Sequence, residues 1–313
     1  MKKEIAALLA TGMLLVVTSC DKPPEESQTE TQTETTATST TQSEETTTES
    51  ETQKQYSSDV DSQMELIAQN YVYIKSDYFS YAEAYPDAAF AVTDLDHDGR
   101  LEVMVTSIQG SGMFSNSFFY EISEDYSSLE RLMVDGQEKP DEAGDFLMSR
   151  DTEDHVVLYD CYKKDGEYYY LLEDVISTGW SYKVIMYYAY TFSDGVTRNF
   201  MGGCEVSAER TDDKTTVDVW LHGPSNTYFE SDEAYVEYLK SYFSDYEKQN
   251  SCEVKWMKFS DETDFAAAIA ESYKCFNPNS RSEATITFDY HYFFDTVYGE
   301  GGTVDVEYVI KDS

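Results

Sequence analysis

Between Ala88 and Asp218 the chain alternates: in seven successive segments, apolar and aromatic residues take every second position, and turn-forming residues close each run. The segments are AFAVTD, LEVMVTS, SFFYEIS, HVVLYDCY, EYYYLLEDVI, YKVIMYYAYTF and TTVDVW. His97-Asp98-Gly99, Lys164-Asp165-Gly166 and Ser193-Asp194-Gly195 are among the turns between them. A period of two puts successive side chains on opposite faces of an extended strand, and a short Gly-bearing turn returns the chain antiparallel. Sequential hairpins are therefore expected. With 27 Tyr and 16 Phe against 6 Pro, the chain has the side chains such a pleated, half-buried surface prefers.

Helical spacing frames this block. Ser58 or Asp59 caps a helix whose apolar positions are Val60, Met64, Ile67, Tyr71 and Ile74. A second helix is predicted from Ser231, with Tyr235, Leu239, Tyr242 and Tyr246 on one face, and a third from Ser260, with Phe265, Ile269, Tyr273 and Phe276. Both start at a serine followed by two acids, which suits the positive end of a helix dipole. Alternation returns at Ile286, Phe288, Tyr290, Tyr292 and Phe294, and VDVEYVI reads as a closing strand. The fold class is α+β, an antiparallel β-rich domain with a few packed helices. The strands vary in length and no unit repeats, so a β-propeller is the alternative architecture.

The N-terminal part has a different composition. Lys2 and Lys3 precede an apolar run from Ile5 to Val17, too short for a permanent membrane span and suited to a secretory signal over residues 1–19. Val17-Thr18-Ser19-Cys20 resembles the bacterial lipobox, which implies that Cys20 carries a lipid and becomes the mature N-terminus. Residues 21–58 are almost all Thr, Ser, Glu and Gln. Such a tract cannot bury enough apolar surface to offset its ordering entropy, so a disordered tether is expected, with a relaxed reach of about 35 Å. The expected layout is signal (1–19), lipidated Cys20 and tether (20–58), and globular domain (59–313) on the outer face of the cell membrane.

Charge limits the partners. Acids number 61 against 22 Lys and Arg, for a formal net charge of -39. Only nine of those acids lie in the tether, so the globular part is itself strongly acidic. Such a surface excludes nucleic acid and favours cations.

A cation site is legible in Asp94-Leu95-Asp96-His97-Asp98-Gly99-Arg100-Leu101-Glu102. Three carboxylates at alternate positions converge, Gly99 permits the sharp turn, the Arg100 carbonyl supplies a further oxygen, and Glu102 arrives at position nine. These are the hard oxygen ligands that calcium takes, whereas magnesium demands stricter octahedral geometry. An EF-hand would need a bidentate Glu at position twelve and a helix on each side, but position twelve is Val105 and both flanks alternate as strands. The motif is similar to the DxDxDGxxD/E hairpin loop of integrin-α, FG-GAP and VCBS-type repeats. More widely, FAVTDLDHDGRLEVMVTSIQGSGMFSNSFFYEIS and the helix SDEAYVEYLKSYFSDYEK resemble a group of secreted and lipid-anchored proteins of clostridial-type bacteria. That likeness implies location and the metal loop, not an activity.

Other residues carry no such signal. Cys161, Cys204, Cys252 and Cys275 allow three pairings into two disulfides, or buried free thiols. The histidines His97, His155, His222 and His291 have no HExxH or zinc-finger spacing, and Gly110-Ser111-Gly112 reads as a turn. Trp180, Trp220 and Trp256, with Tyr168 to Tyr170 and Tyr187, Tyr188 and Tyr190, either stack on sugar rings or fill a core. The resulting expectation is a calcium-binding surface module that recognises a glycan or protein, with an extracellular hydrolase of glycans or peptides as the alternative; no catalytic signature is present. If Cys20 carries the lipid, Cys20→Ala releases the protein into the medium or leaves it unprocessed. Mass spectrometry of the mature wild-type N-terminus checks this, and an unmodified terminus far from position 20 refutes it.

Overall fold

The computed structural model describes residues 57–81, 88–109, 114–137, 155–177, 179, 181–193, 195–210, 214–259, 263–281, 286–291 and 305–311. Cys20 and the tether up to residue 56, together with Trp180 and the Gly110-Ser111-Gly112 turn, lie outside them.

The alternating segments pair as hairpins. Helices α1 (Val60–Gln69) and α2 (Tyr71–Tyr81) lead into β1 (Ala88–Thr93), β2 (Glu102–Gln109), β3 (Phe114–Ile122) and β4 (Leu129–Arg131). A second meander follows: β5 (His155–Lys164), β6 (Glu167–Ser177), β7 (Tyr182–Thr191), β8 (Thr197–Arg210), β9 (Lys214–Gly223) and β10 (Thr227–Phe229). Then come α3 (Asp232–Tyr242), β11 (Glu247–Lys248), β12 (Ser251–Lys258), α4 (Phe265–Cys275), β13 (Asn277–Arg281) and β14 (Asp305–Ile310).

Among the described residues these strands join in one sheet with the order β10-β9-β8-β7-β6-β5-β12-β1-β2-β3-β4, while β11, β13 and β14 pair with β5, β12 and β9. Neighbours are antiparallel except β14 on β9. The two meanders meet through β12, which pairs with β5 from Cys252 opposite Tyr159 to Trp256 opposite His155, and with β1 at Met257 and Lys258. This is the expected α+β class as a continuous ladder, in place of the separate blades of a propeller.

Burial follows from which faces are covered. All six residues of β1 are buried, because both of its faces meet cores, which is why AAFAVT is apolar at nearly every position. Ala88, Phe90 and Val92 face a core with α1, α2 and α4, through Ile67, Ile74, Tyr78, Phe265 and Ile269. Ala89 and Ala91 face a second core formed with β5, β6, β7 and β12, where Tyr159, Tyr170, Tyr190 and Trp256 sit. A third core lies between the other face of β6 to β9 and α3, built on Tyr187, Val206, Val219, Tyr235 and Leu239. Outer strand β9 alternates strictly, with Thr215, Val217, Val219 and Leu221 inward. The aromatics are therefore mostly core: Trp256, Tyr170, Tyr187, Tyr188 and Tyr190 are buried, and Trp220 is half-buried. Gly203 has a steric role, since a Cβ there would lie 2.5 Å from the Ile185 carbonyl oxygen.

Two helices and one expected strand depart from the limits read from the sequence. Asp59 caps α1, accepting from the Ser62 amide at 3.0 Å, but the helix breaks at Asn70, whose Nδ2 donates to the Leu66 carbonyl at 2.9 Å and competes with the backbone ladder. Ser231 caps α3 as the sequence predicts, whereas α4 is capped by Asp264, four residues after Ser260, through the Ala267 amide. The third departure is at 286–294. Ile286, Phe288 and Tyr290 are buried and Thr287 and Asp289 exposed, as alternation requires, yet 286–291 form no strand. Phe288 has φ 60°, and the Ile286 amide donates to Asp160 Oδ2 rather than to a ladder. Tyr292 and Phe294 lie outside the described residues.

Trp256 is fully buried and donates through Nε1 to the Tyr159 hydroxyl at 3.1 Å. Trp256→Ala is expected to cost about 3 to 5 kcal/mol and lower Tm by on the order of 10 °C. Tyr228→Ala, at a 44 % exposed position, should change stability by less than about 0.5 kcal/mol. Thermal unfolding followed by circular dichroism compares the two.

Candidate metal centre

The hairpin that joins β1 to β2 carries the acidic motif. Thr93 faces Glu102 across the ladder, so the two strands deliver the first and last loop carboxylates side by side. Leu95 and Leu101, each 1 % exposed, sink into opposite cores and pin both ends of the loop. Between them the chain turns through positive φ at His97 (63°) and Gly99 (87°); the second is cheap for glycine alone.

Three groups outside the loop hold it. Gln63 of α1 is fully buried; its Nε2 donates to the Gly99 carbonyl at 2.9 Å and its Oε1 accepts from the Leu101 amide at 2.8 Å. Tyr170 of β6 donates to the Leu95 carbonyl at 2.6 Å, with His97 Nε2 3.4 Å from the same hydroxyl. The His97 ring stacks on Tyr168, centroids 3.9 Å apart and planes within 5°. One helix and one strand of the other meander thus clamp the turn from two sides.

The carboxylates fall into two overlapping groups. Oxygens of Asp94, Asp96 and Glu102 lie within 4.8 Å of one another, as do those of Asp96, Asp98 and Glu121. Glu102 is fully buried and accepts from the Leu95 amide through both oxygens, at 3.1 and 2.9 Å, and from Thr93 Oγ1 at 3.0 Å. Asp94 and Asp96 accept from the Gly99 and Asp98 amides. Asp98 accepts from the Arg100 amide at 2.7 Å and from Arg100 Nε at 2.6 Å. The Arg100 guanidinium continues to Glu121 Oε2 at 2.6 Å and to the Ile122 carbonyl at 3.0 Å. It is a tethered cation inside the acidic cluster.

Burial and mutual repulsion mark these groups. Desolvation, with Asp98 and Asp94 adding repulsion, pushes Asp96 up to about 6. Desolvation also drives Glu121 up to about 7, although Arg100 opposes it. Glu102 is raised well above the usual carboxylate range by burial and by Asp96, and Asp94 is raised, mainly by burial. Acidic side chains held where their charge is disfavoured suit a positive ion, so the residues present could hold a metal ion among Asp94, Asp96, Glu102 and Glu121.

Of the expected carboxylates, the structure brings Asp94, Asp96 and Glu102 together and groups Asp98 with Asp96 and Glu121, and it gives the Arg100 side chain a role of its own. Sequence reasoning missed Glu121 and Gln63. Glu121 lies directly opposite Glu102 in the β2–β3 register, a position that counting residues through the hairpin reaches. Gln63 sits among the apolar positions of α1, a polar residue on a buried face. The four remaining cysteines are free thiols; Cys161, Cys204 and Cys252 are buried, and burial pushes the Cys161 thiol up to about 12. Compared with known protein families, curated proteins and solved structures, the chain matches none. Among the described residues no helix is long and apolar enough to cross a membrane.

A carboxylate whose pKa is raised on folding stabilises the folded state only while it is protonated. That contribution is present below its unfolded value and lost as pH rises through the folded one. Metal-free protein should therefore lose stability from about pH 4 to 7, the interval spanned by Asp96 and Glu121. Asp96→Asn should flatten the dependence of Tm on pH in the presence of chelator, and an unchanged slope in that variant contradicts the assignment.

Proposed function

We propose that this chain is a lipid-anchored cell-surface protein whose domain binds calcium through the loop at Asp94–Glu102 and serves as a binding or adhesion module for a glycan or protein. The observation that carries the reading is the clustering of Asp94, Asp96 and Glu102 oxygens within 4.8 Å, on a hairpin held in shape by Gln63 and Tyr170. The Arg100 carbonyl adds a further oxygen of the motif, and Asp98 lies beside this set, its carboxylate held by Arg100. Calcium is favoured over magnesium because an irregular set of carboxylate and carbonyl oxygens suits its larger, flexible shell. The lipobox-like VTSC and the Ser/Thr/Glu-rich tract support an outward-facing anchor.

An extracellular site needs only a Kd on the order of 0.1 to 1 mM to be filled. At ten times Kd, binding adds about 1.4 kcal/mol to stability, a rise in Tm of about 3 to 5 °C for a domain of this size. Calcium should produce that rise, and Asp94→Ala and Asp96→Ala should each diminish it. Differential scanning calorimetry with magnesium at equal concentration separates site binding from general screening of an acidic surface. An equal magnesium shift, or a full calcium response in both variants, reduces the motif to an acidic turn.

A further inference from the structure

Glu121 departs from what an apolar strand requires. It is 7 % exposed, its Oε2 meets Arg100, and its Oε1 is buried with no hydrogen-bond partner among the described residues. A buried carboxylate oxygen left unsatisfied is costly, and such atoms are rare in folded proteins without an ion or water to meet them. The same residue lines a polar cavity of about 560 Å³ with Arg100, Ser123, Glu124 and Asp125, which gives a hydrated ion a way in and room to keep part of its water shell.

We propose that a second divalent cation binds beside the loop ion, held by Asp96, Asp98 and Glu121, with Asp96 shared between the two. The inference rests on the reading of the loop as a metal site. Its geometry is the second triad of oxygens within 4.8 Å, which takes one ligand from β3, outside the motif. Charge points the same way. Asp94, Asp96, Asp98, Glu102 and Glu121 are five carboxylates gathered around the single guanidinium of Arg100. One divalent ion leaves that cluster negative, and two neutralise it. Of the three ligands Glu121 lines that cavity, so coordination positions left on the second ion on that side would be filled by water or by oxygen atoms of a bound molecule.

The test is a count of ions. The full chain, stripped with chelator, is titrated with calcium by isothermal calorimetry in about 0.15 M salt, where loose association with distant surface acids is screened. Two ions per chain are expected for the wild type, and one each for Glu121→Gln and Asp94→Asn, which remove different sites. Glu121→Gln keeps the shape and an acceptor for Arg100; circular dichroism confirms that it folds. Native mass spectrometry of the wild type counts the ions without any variant. A single ion in the wild type, or two ions retained in Glu121→Gln, overturns the second site while leaving the loop site standing; loss of all binding in Glu121→Gln, which keeps every loop ligand, overturns both sites as drawn. No bound ion in the wild type overturns the loop reading, and the second site with it.

Discussion

The pairing of β12 between β5 and β1 is the constraint on which the rest of the molecule depends. Two meanders, β1 to β4 and β5 to β10, are each closed by local hairpins, and a strand that follows both in sequence locks them edge to edge. Ser272 of α4 reinforces the junction, donating to the Lys255 carbonyl of β12 at 2.7 Å and accepting from the Val92 amide of β1 at 3.0 Å. The β12–β1 ladder itself is only Met257 and Lys258 opposite Phe90 and Ala89, so a buried helix serine takes over where the strands part. With β1 fixed between two cores, the hairpin at its end has one place to stand.

That place explains the chemistry. The loop emerges where α1 and β6 converge, so Gln63 and Tyr170 reach its carbonyls from elements far apart in the chain. Each of these bonds fixes a backbone oxygen that would otherwise follow the turn's own preferences. The same packing withdraws water from Glu102 and most of Glu121, and the carboxylates that would hold an ion are consequently destabilised as anions. The fold thus gathers carboxylates whose charge a cation would offset.

Much of this was legible in the sequence, and the remainder has identifiable causes. Period-two alternation located the strands because one face of nearly every strand meets a core, as in β9. It misread 286–290, where the alternating burial is real but the backbone amide of Ile286 goes to Asp160, since side-chain period reports faces and not ladders. Helix starts were read from capping residues; Ser231 was right, while Asp264 prevailed over Ser260 because Asp264 is the residue whose side chain reaches the amide at the third helical position. The loop carboxylates were visible because they recur within one short stretch of sequence. Glu121 was not, because its proximity to Asp96 comes from strand register, a property of the folded pair. The aromatic clusters read as core with a sugar-stacking platform as the alternative, and burial of Trp256 and Tyr170 agrees with core.

Arg100 has the last bearing on how such a centre works. Many small metal sites are unfolded until the ion arrives, because unpaired carboxylates repel. Here a guanidinium on the loop itself ties Asp98 to Glu121, and Gln63, Tyr170 and the Leu95 amide hold the surrounding backbone and Glu102. The cluster is shaped without an ion, so an ion that bound would cost little conformational entropy and would compete with the resident arginine for Asp98 and Glu121. A tethered cation cannot neutralise more than its single charge, whereas a divalent ion can. Arginine therefore keeps the cluster foldable without an ion, and a divalent ion that entered would compete with it for Asp98 and Glu121.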